Sequence, residues 1–253
     1  MSTFFIVCYF SASNQAIAVD CGVNRYDATA MVLRVVDGDT VILSDKQKVR
    51  LIGINAPERA RYPKKAEAYA LAAKRYLKRQ LTANKKIHLK FGQQNKDRYG
   101  RLLAHIFLSN GRNLNAMLVK QGLASAIVVP PNTALINCYF RLEQQARRKA
   151  KNIWSANTFK IIPASLLKDT GFAFIKGNVM RLGKSKDSIW LQLAPKFTLR
   201  IKRKDFKYFK RFDLKNLKQE DLKDKTLYVR GWIYQWKKEL YMQVRHPKMI
   251  SGL

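Results

Sequence analysis

Short apolar runs bounded by turn-forming residues dominate the first part of the chain. The turns Asp37-Gly38-Asp39, Ser44-Asp45 and Ser109-Asn110-Gly111 each follow a β-branched or aliphatic run. Runs of this length between such turns are typical of strands. The pattern predicts strands at 30–36, 40–43, 48–54, 86–91 and 102–108.

Helical patterns lie between and after these strands. A segment rich in Ala, Lys and Leu begins at Pro63 and extends to about Asn84. A second helix is predicted at 113–121, closed by Gly122, and a third at 133–150. Three strands, a helix, two strands and further helices are compatible with a five-stranded OB-fold barrel.

The remainder of the chain is rich in strands and predicts a second barrel. Strands are expected at 177–182, 189–193, 197–201, 226–234 and 240–245, with a short helical piece at 205–212. We therefore predict a mainly β chain with helices, in the α+β class: an OB-fold barrel followed by a second, smaller OB-like β-barrel. The predicted domains are 19–156 and 166–253, joined by a connector at 157–165.

Positive charge is the strongest compositional signal. The 253 residues include 49 Lys and Arg against 17 Asp and Glu, a formal net charge of +32. Such a field attracts polyanions and repels basic partners, which favours nucleic acid as the ligand. A basic drift shared by all proteins of the source organism would give the same composition. Because no run of 18 apolar residues occurs, the sequence predicts no membrane-spanning helix.

The N-terminus has the pattern of a secretory signal peptide. An apolar stretch at 3–10 precedes Ala16-Ile17-Ala18, a small-x-small cleavage site, although no Lys or Arg stands in front of the stretch. We predict that 1–18 is a signal peptide and that the protein is periplasmic or secreted. The alternative is a buried N-terminal strand in a cytoplasmic protein.

Cleavage at this site would leave two cysteines, Cys21 and Cys138. In an oxidising compartment an even pair predicts one disulfide, which would close a long loop. In a cytosolic protein the same pair would be ordinary thiols. Neither cysteine has a C-x-x-C neighbour, so we expect no zinc site.

Three short segments concentrate residues that suit phosphodiester chemistry. Segment 37–40 places two carboxylates on a turn, 50–58 contains an Arg, an Asn and a Glu, and 97–101 combines a carboxylate, a Tyr and two Arg. Carboxylate and carbonyl oxygens bind hard cations, a carboxylate can take a proton from water, and guanidinium groups match phosphate. Each segment alone is equally consistent with an ordinary turn or a solvated strand face.

Together these segments resemble the staphylococcal nuclease (thermonuclease) family. The resemblance covers roughly residues 29–155 and rests on the ordered motifs VVDGDTVIL, VRLIGINAPE, DRYGR, GRNLNAMLVKQGLA and KNIWS. It implies an OB-fold barrel with helices. It also implies a Ca²⁺-dependent nuclease that cleaves DNA and RNA with little sequence preference and leaves 3′-phosphate ends.

By motif position, the resemblance implies a metal site and a set of catalytic groups. Asp39 matches the main calcium carboxylate, and Ala56 would offer its backbone carbonyl. Glu58, at the same metal site, matches the general base that acts on the attacking water. Arg50 and Arg101 match the arginines that clamp the phosphate.

Further positions follow from the same resemblance. Arg98 and Tyr99 stand where the family contacts the phosphate of the bound nucleotide. Asp37 and Asp97 are expected to form turns behind the site rather than to bind the metal. Asn55 stands where well-known members have a second calcium-binding Asp. Its amide oxygen can still bind the metal but adds no charge, which implies a weaker site that another divalent ion can fill.

The second domain offers a surface rather than a catalytic constellation. Arg230, Trp232, Tyr234 and Trp236 occupy alternate positions of one predicted strand and therefore share a face. OB-folds bind single strands on such faces, so these four are candidate substrate-binding residues. The same pattern equally fits rings that pack against the nuclease domain or a covering helix.

The sequence thus predicts a monomeric, metal-dependent phosphodiesterase that attacks DNA or RNA with water and has low sequence specificity. The alternative is a catalytically weak or inactive nucleic-acid-binding protein on a nuclease scaffold, with catalysis lost through the Asn55 site. A protein-interaction module is a third possibility, for which the charge of +32 requires an acidic partner.

Overall fold

The computed structural model of the chain describes residues 21–60, 65–82, 84–223 and 225–253. The predicted signal peptide at 1–18 and the predicted helix start at Pro63 lie outside the described residues. Within the described ranges, no helix is long and apolar enough to cross a membrane.

The N-terminal half forms a closed five-stranded barrel with three helices. In chain order its elements are β1 (Ala28–Asp37), β2 (Thr40–Leu43), β3 (Lys48–Leu51), β4 (Ile54–Asn55), α1 (Ala70–Gln80), β5 (Lys86–Lys96), β6 (Leu102–Leu108), α2 (Leu114–Lys120), β7 (Ser125–Ala126) and α3 (Ile136–Arg148). The barrel closes in the order β1-β2-β3-β6-β5, with β3 and β6 parallel. This confirms the OB-fold expectation for this half.

The buried face of α1 lies against the turn between β1 and β2. Ala70, Ala73 and Leu77 recur at helical spacing on this face. A Cβ on Gly38 would stand 2.7 Å from the Cβ of Ala73, so only glycine lets the turn approach the helix this closely. The described helix covers 11 residues, fewer than predicted, because the apolar face begins only at Ala70.

The predicted strand at 48–54 is interrupted by a turn. β3 ends at Leu51, and the chain passes through Gly53, whose φ of +78° is favourable only for glycine. A Cβ at Gly53 would also stand 2.6 Å from a ring carbon of Tyr139. The chain then continues as β4, which pairs with β7 rather than with the barrel.

A disulfide joins Cys21 to Cys138, as predicted, across a sequence separation of 117 residues. It ties the segment before β1 to α3. The Asn113 side chain adds a second tie, because its Nδ2 donates to the carbonyl of Cys21 at 2.9 Å.

The C-terminal half forms one sheet of eight strands. They are β8 (Ile162–Pro163), β9 (Gly171–Asn178), β10 (Arg181–Lys184), β11 (Ser188–Ala194), β12 (Phe197–Lys202), β13 (Thr226–Trp236), β14 (Glu239–Gln243) and β15 (Ile250–Ser251). Their order is β10-β11-β12-β14-β13-β9-β8, and β15 pairs with β13. β8 lies inside the predicted connector, so part of that segment belongs to the sheet.

This sheet repeats the strand order of the first barrel. β12 and β14 are parallel neighbours, as β3 and β6 are. β9 and β10 are separated only by Val179-Met180, and they pair with β13 and β11, which are far apart in the sheet order. One long first strand, bent at this dipeptide, therefore contacts both ends of the sheet, which is consistent with the predicted second OB-like barrel. The predicted strand at 177–182 spans the bend, and the true strand begins earlier, at Gly171.

Each half has its own apolar core, and the boundary between the halves is packed. Leu51 and Leu89 lie in the first core, and Leu199 and Met242 lie in the second. Val128, from the segment between β7 and α3, is buried in the second core. The C-terminal sheet therefore covers apolar surface that belongs to the N-terminal half.

Candidate active site

Two neighbouring strands and a turn bring the predicted catalytic segments together. β2 and β3 are antiparallel neighbours, and the Leu51 N–H donates to the carbonyl of Asp39 at 2.9 Å. The Gly53 turn then carries the chain to Asn55 in β4, which β7 holds in place. The two motif segments therefore converge on one place at the edge of the barrel.

Asp39 is the centre of this cluster and is only 5% exposed. Its Oδ2 accepts from Arg50 Nη2 at 2.9 Å and from the Ala56 N–H at 2.9 Å. Its Oδ1 accepts from the Thr40 hydroxyl at 3.1 Å. Both carboxylate oxygens are therefore held in a fixed orientation.

Burial raises the pKa of Asp39 to about 6. The Arg50 guanidinium opposes this rise, whereas the carboxylates of Asp37 and Glu58 add to it. The neighbouring groups therefore do not fully stabilise the ionised form of Asp39. A bound cation would add a positive charge that stabilises it. Asp37 Oδ1 accepts the Asp39 N–H at 3.4 Å, which is consistent with a turn-forming residue.

Arg50 is held by four acceptors. Its Nη1 donates to the carbonyls of Leu51 at 2.7 Å and Ile54 at 3.1 Å. Its Nη2 donates to Asp39 and, at 3.3 Å, to Oδ1 of Asn55. The side chain is 13% exposed. Such a guanidinium has little conformational freedom left to lose, which suits the fixed planar recognition of a phosphate.

The donor atoms around Asp39 fit a hard divalent cation. They include the carboxylate oxygens of Asp39 and the amide oxygen of Asn55, which are ligands that Ca²⁺ prefers, whereas Ala56 contacts Asp39 through its N–H. The amide of Asn55 and the peptide of Ala56 both lie within one hydrogen bond of the Asp39–Arg50 pair. Among the residues that the structure describes, no three His, Cys, Asp or Glu side chains form a metal-binding group. The site therefore offers suitable atoms but less negative charge than a site built from several carboxylates.

Glu58 lies on the solvent side of the cluster. Its side chain is exposed, and its charge makes a minor contribution to the raised pKa of Asp39. Two hydrogen bonds join its backbone to Glu67. The Glu58 N–H donates to Glu67 Oε2 at 2.9 Å, and the Glu67 N–H donates to the Glu58 carbonyl at 2.9 Å.

The turn at 97–101 is organised by Asp97. Its Oδ1 accepts from the backbone N–H groups of Tyr99 and Arg101, and its Oδ2 accepts from Arg101 Nε at 2.7 Å. Burial opposes ionisation of Asp97, but these bonds keep its pKa below the ordinary value. The Arg98 guanidinium lies over the Tyr99 ring at 4.8 Å. The turn therefore presents one ring and two guanidiniums together, with Tyr99 66% exposed.

Strand pairing relates this turn to Arg50. β3 and β6 are parallel, and Arg50 lies opposite Leu103. Arg101 precedes Leu103 by two residues, so strand alternation places it on the same face of the sheet, about 7 Å further along. The structure thus brings Asp39, Arg50, Asn55 and Ala56 into direct contact and holds Arg101 on a neighbouring turn, paired with Asp97.

Arg230 does not lie with the exposed rings of its strand. Its Nη1 donates to both carboxylate oxygens of Glu143 in α3, at 2.7 and 2.9 Å, and to the Ala126 carbonyl at 3.2 Å. These contacts favour a role in joining the two halves. Trp232, Tyr234 and Trp236 are exposed. The predicted face is therefore covered at Arg230 and open to solvent at these three rings.

A cleft of about 340 Å³ opens between the halves beside the candidate catalytic segment. Its lining includes Asn55, Pro57 and four rings: Trp154, Phe159, Phe172 and Phe174. The sequence contains these rings, but nothing in its local pattern indicates that 154–159 and 172–174 meet next to Asn55.

Glu143 and Arg147 were also missed by the sequence reasoning. They are four residues apart on α3, and Arg147 Nε donates to Glu143 at 2.8 Å. This spacing is visible in the sequence, but it usually marks an exposed helical ion pair. Only the fold shows that the Glu143 side chain is 2% exposed and serves both halves.

Comparisons with known proteins agree with this geometry. The family model described as "Staphylococcal nuclease homologue" matches residues 48–156. A thermonuclease of Staphylococcus hyicus is 38% identical over 135 residues, which are 52% of this chain and 79% of the relative. A thermonuclease of Staphylococcus intermedius is 36% identical over 127 residues, which are 49% of this chain and 74% of the relative.

More distant relatives match a similar share of the chain. Endonuclease YhcR of Bacillus subtilis (strain 168) is 34% identical over 138 residues, which are 50% of this chain but 11% of that protein. The family model ends at residue 156, before the first strand of the C-terminal sheet. The family match therefore covers β3 to α3 of the N-terminal half, including Arg50, Asn55 and Ala56 of the cluster.

Proposed function

This chain belongs to the staphylococcal nuclease family, and from that premise we propose that it is an endonuclease that hydrolyses DNA, RNA or both. The proposed reaction is attack of water on a phosphodiester with little sequence preference, and the proposed cofactor is a divalent cation, first of all Ca²⁺. The observation that carries the proposal is the buried Asp39 carboxylate, held by Arg50 and the Ala56 N–H beside the exposed Glu58.

Asp39, the amide oxygen of Asn55 and the carbonyl of Ala56 would hold the cation, with Glu58 next to them. When bound, the cation supplies a positive charge that neutralises phosphate and lowers the pKa of nearby water. The oxygen chemistry of these groups and the raised pKa of Asp39 support this assignment. Asn55 contributes no charge, so we expect weaker binding than a second carboxylate would give.

The remaining groups have complementary roles. Glu58 takes the proton of the attacking water, because an exposed carboxylate beside a buried one has access both to water and to the site. Arg50 and Arg101 hold the phosphate and stabilise the charge that develops on it, a role that suits planar guanidiniums. Arg98 and Tyr99, stacked at the tip of the same turn as Arg101, contact the neighbouring phosphate of the strand.

The direct test is turnover of single- and double-stranded DNA and of RNA by the purified protein, with Ca²⁺, Mg²⁺, Mn²⁺ or chelator. We expect turnover to require a divalent cation and Glu58→Gln to lose nearly all of it without unfolding. Asp45→Asn is the matched control, since Asp45 is an exposed carboxylate of the same barrel that bonds only with Gln47 in the β2–β3 turn. Full activity in chelator, or an unimpaired Glu58→Gln variant, would contradict the mechanism. Binding without turnover under every condition would instead support the non-catalytic alternative.

We also propose that the protein works in an oxidising compartment outside the cytoplasm. The Cys21–Cys138 disulfide supports this, because such bonds persist mainly in the periplasm and in secreted proteins. Thiol titration of the denatured protein, isolated from periplasm or medium, tests it. Two free thiols would contradict the proposal.

A further inference from the structure

The outer surface of the C-terminal sheet carries a compact group of rings, here called the aromatic face: Trp190, Tyr234, Trp236 and Tyr241. Tyr234 and Tyr241 are partners across β13 and β14, and their rings stack with centroids 5.8 Å apart. Trp190 and Trp236 each contact Tyr241 edge-on, at 6.1 Å. Four rings from β11, β14 and β13 are therefore joined through Tyr241 into one group on the sheet.

The aromatic face points away from the core. Its strands bury the alternate residues, such as Leu191, Ile233 and Met242, inside the second core. Tyr234 is 40% exposed and Trp236 is 58% exposed, which is unusual for side chains of this size. Exposed aromatic clusters of this kind mark interaction sites more often than isolated surface rings do.

Lysines outnumber carboxylates at the exposed end of the face, where Glu239 accepts a hydrogen bond from the Tyr241 hydroxyl at 2.7 Å. Lys237 and Lys238 form the turn between β13 and β14, and Lys237 Nζ lies 4.9 Å from the centre of the Trp236 ring. Lys196 is adjacent, because its carbonyl accepts the Leu240 N–H at 2.8 Å. All three lysines are exposed. The occupant that matches rings rimmed by lysines is a polyanion with flat apolar groups.

A series of rings connects this face to the catalytic segment. Trp232 lies two residues before Tyr234 on the same side of β13, and it contacts Phe172 at 5.1 Å. Phe172 contacts Phe174 at 5.5 Å, and both rings line the cleft that also contains Asn55. The open surface and the candidate active site are therefore linked by adjacent aromatic side chains.

We infer that the aromatic face is a second nucleic-acid-binding surface, which stacks the unpaired bases of a single strand and holds that strand beside the catalytic barrel. The inference rests on the proposed function for the identity of the substrate, but binding to this face does not require cleavage. Each base has a flat face that can stack on Trp or Tyr, and the lysines bind the phosphates between bases. Paired bases in a duplex are already stacked on one another, so a duplex offers the rings far less contact.

The test is the affinity of the full chain for a fluorescently labelled single strand of about 16 nucleotides, the upper end of an OB-fold site, measured by anisotropy in chelator. Its duplex form is the comparison ligand. We expect a Tyr234→Ala, Trp236→Ala double variant to raise Kd for the single strand roughly tenfold or more, since one stacked base corresponds to roughly five- to hundredfold. Thermal unfolding should be nearly unchanged, because both side chains are exposed.

Tyr228→Ala is the matched control. Tyr228 is 46% exposed and lies on the same side of β13, but Arg230, bound to α3, separates it from Trp232. It should leave Kd unchanged. A second variant, Lys237→Ala with Lys238→Ala, should reduce the slope of log Kd against log salt by about 1.4, since each of the two phosphate contacts on a single strand contributes about 0.7.

Unchanged single-strand affinity in the double ring variant would overturn the inference, as would equal affinity for the duplex. A change confined to self-association would identify a second copy of the chain as the occupant and overturn it too. These outcomes are independent of catalysis, because chelator is present throughout. Failure of the proposed nuclease activity would leave the binding result as it stands.

Discussion

Loss of the buried Glu143 charge should destabilise the protein more than loss of Arg230, its partner from the other half. The Glu143 side chain is 2% exposed. It accepts from Arg230 Nη1 at 2.7 and 2.9 Å, from Arg147 Nε at 2.8 Å and from the Ala126 N–H at 2.6 Å. One carboxylate therefore neutralises two guanidiniums, which makes the two deletions unequal.

The magnitudes follow from what each variant leaves behind. Arg230→Gln leaves Glu143 paired with Arg147, so the cost is the loss of one charge-assisted contact, about 1.5–3 kcal/mol. Glu143→Gln leaves two partly buried cations facing a neutral amide, with side chains that are 17% and 29% exposed. Removing the neutralising partner of a buried charge costs about 3–5 kcal/mol.

Urea unfolding of the two single variants and the double variant measures these costs and the coupling between the residues. Arg148→Gln is the control. It removes an exposed arginine next to Arg147 on the same helix and should change the free energy of unfolding by at most about 0.5 kcal/mol. Since the pair is buried, high salt should change the coupling little.

Two results would refute this reasoning. If Arg230→Gln lowers the free energy of unfolding as much as Glu143→Gln does, the charge balance at Glu143 does not determine the loss of stability. If both variants resemble Arg148→Gln, the contact between α3 and β13 contributes nothing to stability, and the two halves are joined only by apolar packing.

Three further predictions test other parts of the structure. Replacing Cys21 and Cys138 by alanine should reduce the free energy of unfolding by up to about 5 kcal/mol, because the disulfide closes a loop with a separation of 117 residues. A loss below about 1 kcal/mol in urea unfolding would contradict this. Burial lowers the pKa of His105 from 6.5 to about 4, so the neutral ring stabilises the fold above pH 6.5 and this contribution is lost as pH falls to 4. The stability advantage of wild type over His105→Gln should therefore shrink by about 3 kcal/mol between pH 7 and pH 4, and a constant difference in urea unfolding would refute it. Asn55→Asp should tighten Ca²⁺ binding in calorimetric titration, because ligand charge sets affinity, and an unchanged or weaker affinity would remove Asn55 from the proposed ligands.

Much of the fold could be predicted because it depends on local chemistry. The turns at Asp37-Gly38-Asp39 and Ser109-Asn110-Gly111 and the apolar spacing of α1 are properties of short segments, whereas the turn at Gly53, inside the predicted strand at 48–54, was missed. Even the disulfide followed from cysteine count and compartment, and the structure confirms it. Errors arose where a strand bends without a sequence signal, as at Val179-Met180 in the second sheet.

For the candidate site as well, the sequence predicted which side chains take part but not what surrounds them. The motifs identified Asp39, Arg50 and Asn55, and the structure places these three in contact. The chemical roles of these three residues, like those of Glu58 and Arg101, remain predictions. Period-2 alternation correctly placed the side chains of β13 on two faces, but it could not say that Arg230 is covered while Trp236 is open. Alternation specifies a side of the sheet, and what packs on that side depends on residues more than eighty positions away.

What the sequence determined by itself is therefore most of the strands and turns and the candidate reacting groups, because each depends on residues adjacent in the chain. What only the tertiary structure decided is the environment of those groups. The pKa of Asp39 is raised because distant segments exclude water from it, and Glu143 is an internal charge because β13 packs over α3. The cleft beside Asn55 exists because rings at 154–174 converge on it. Burial and long-range contacts are sums over the whole fold, and no local pattern contains them.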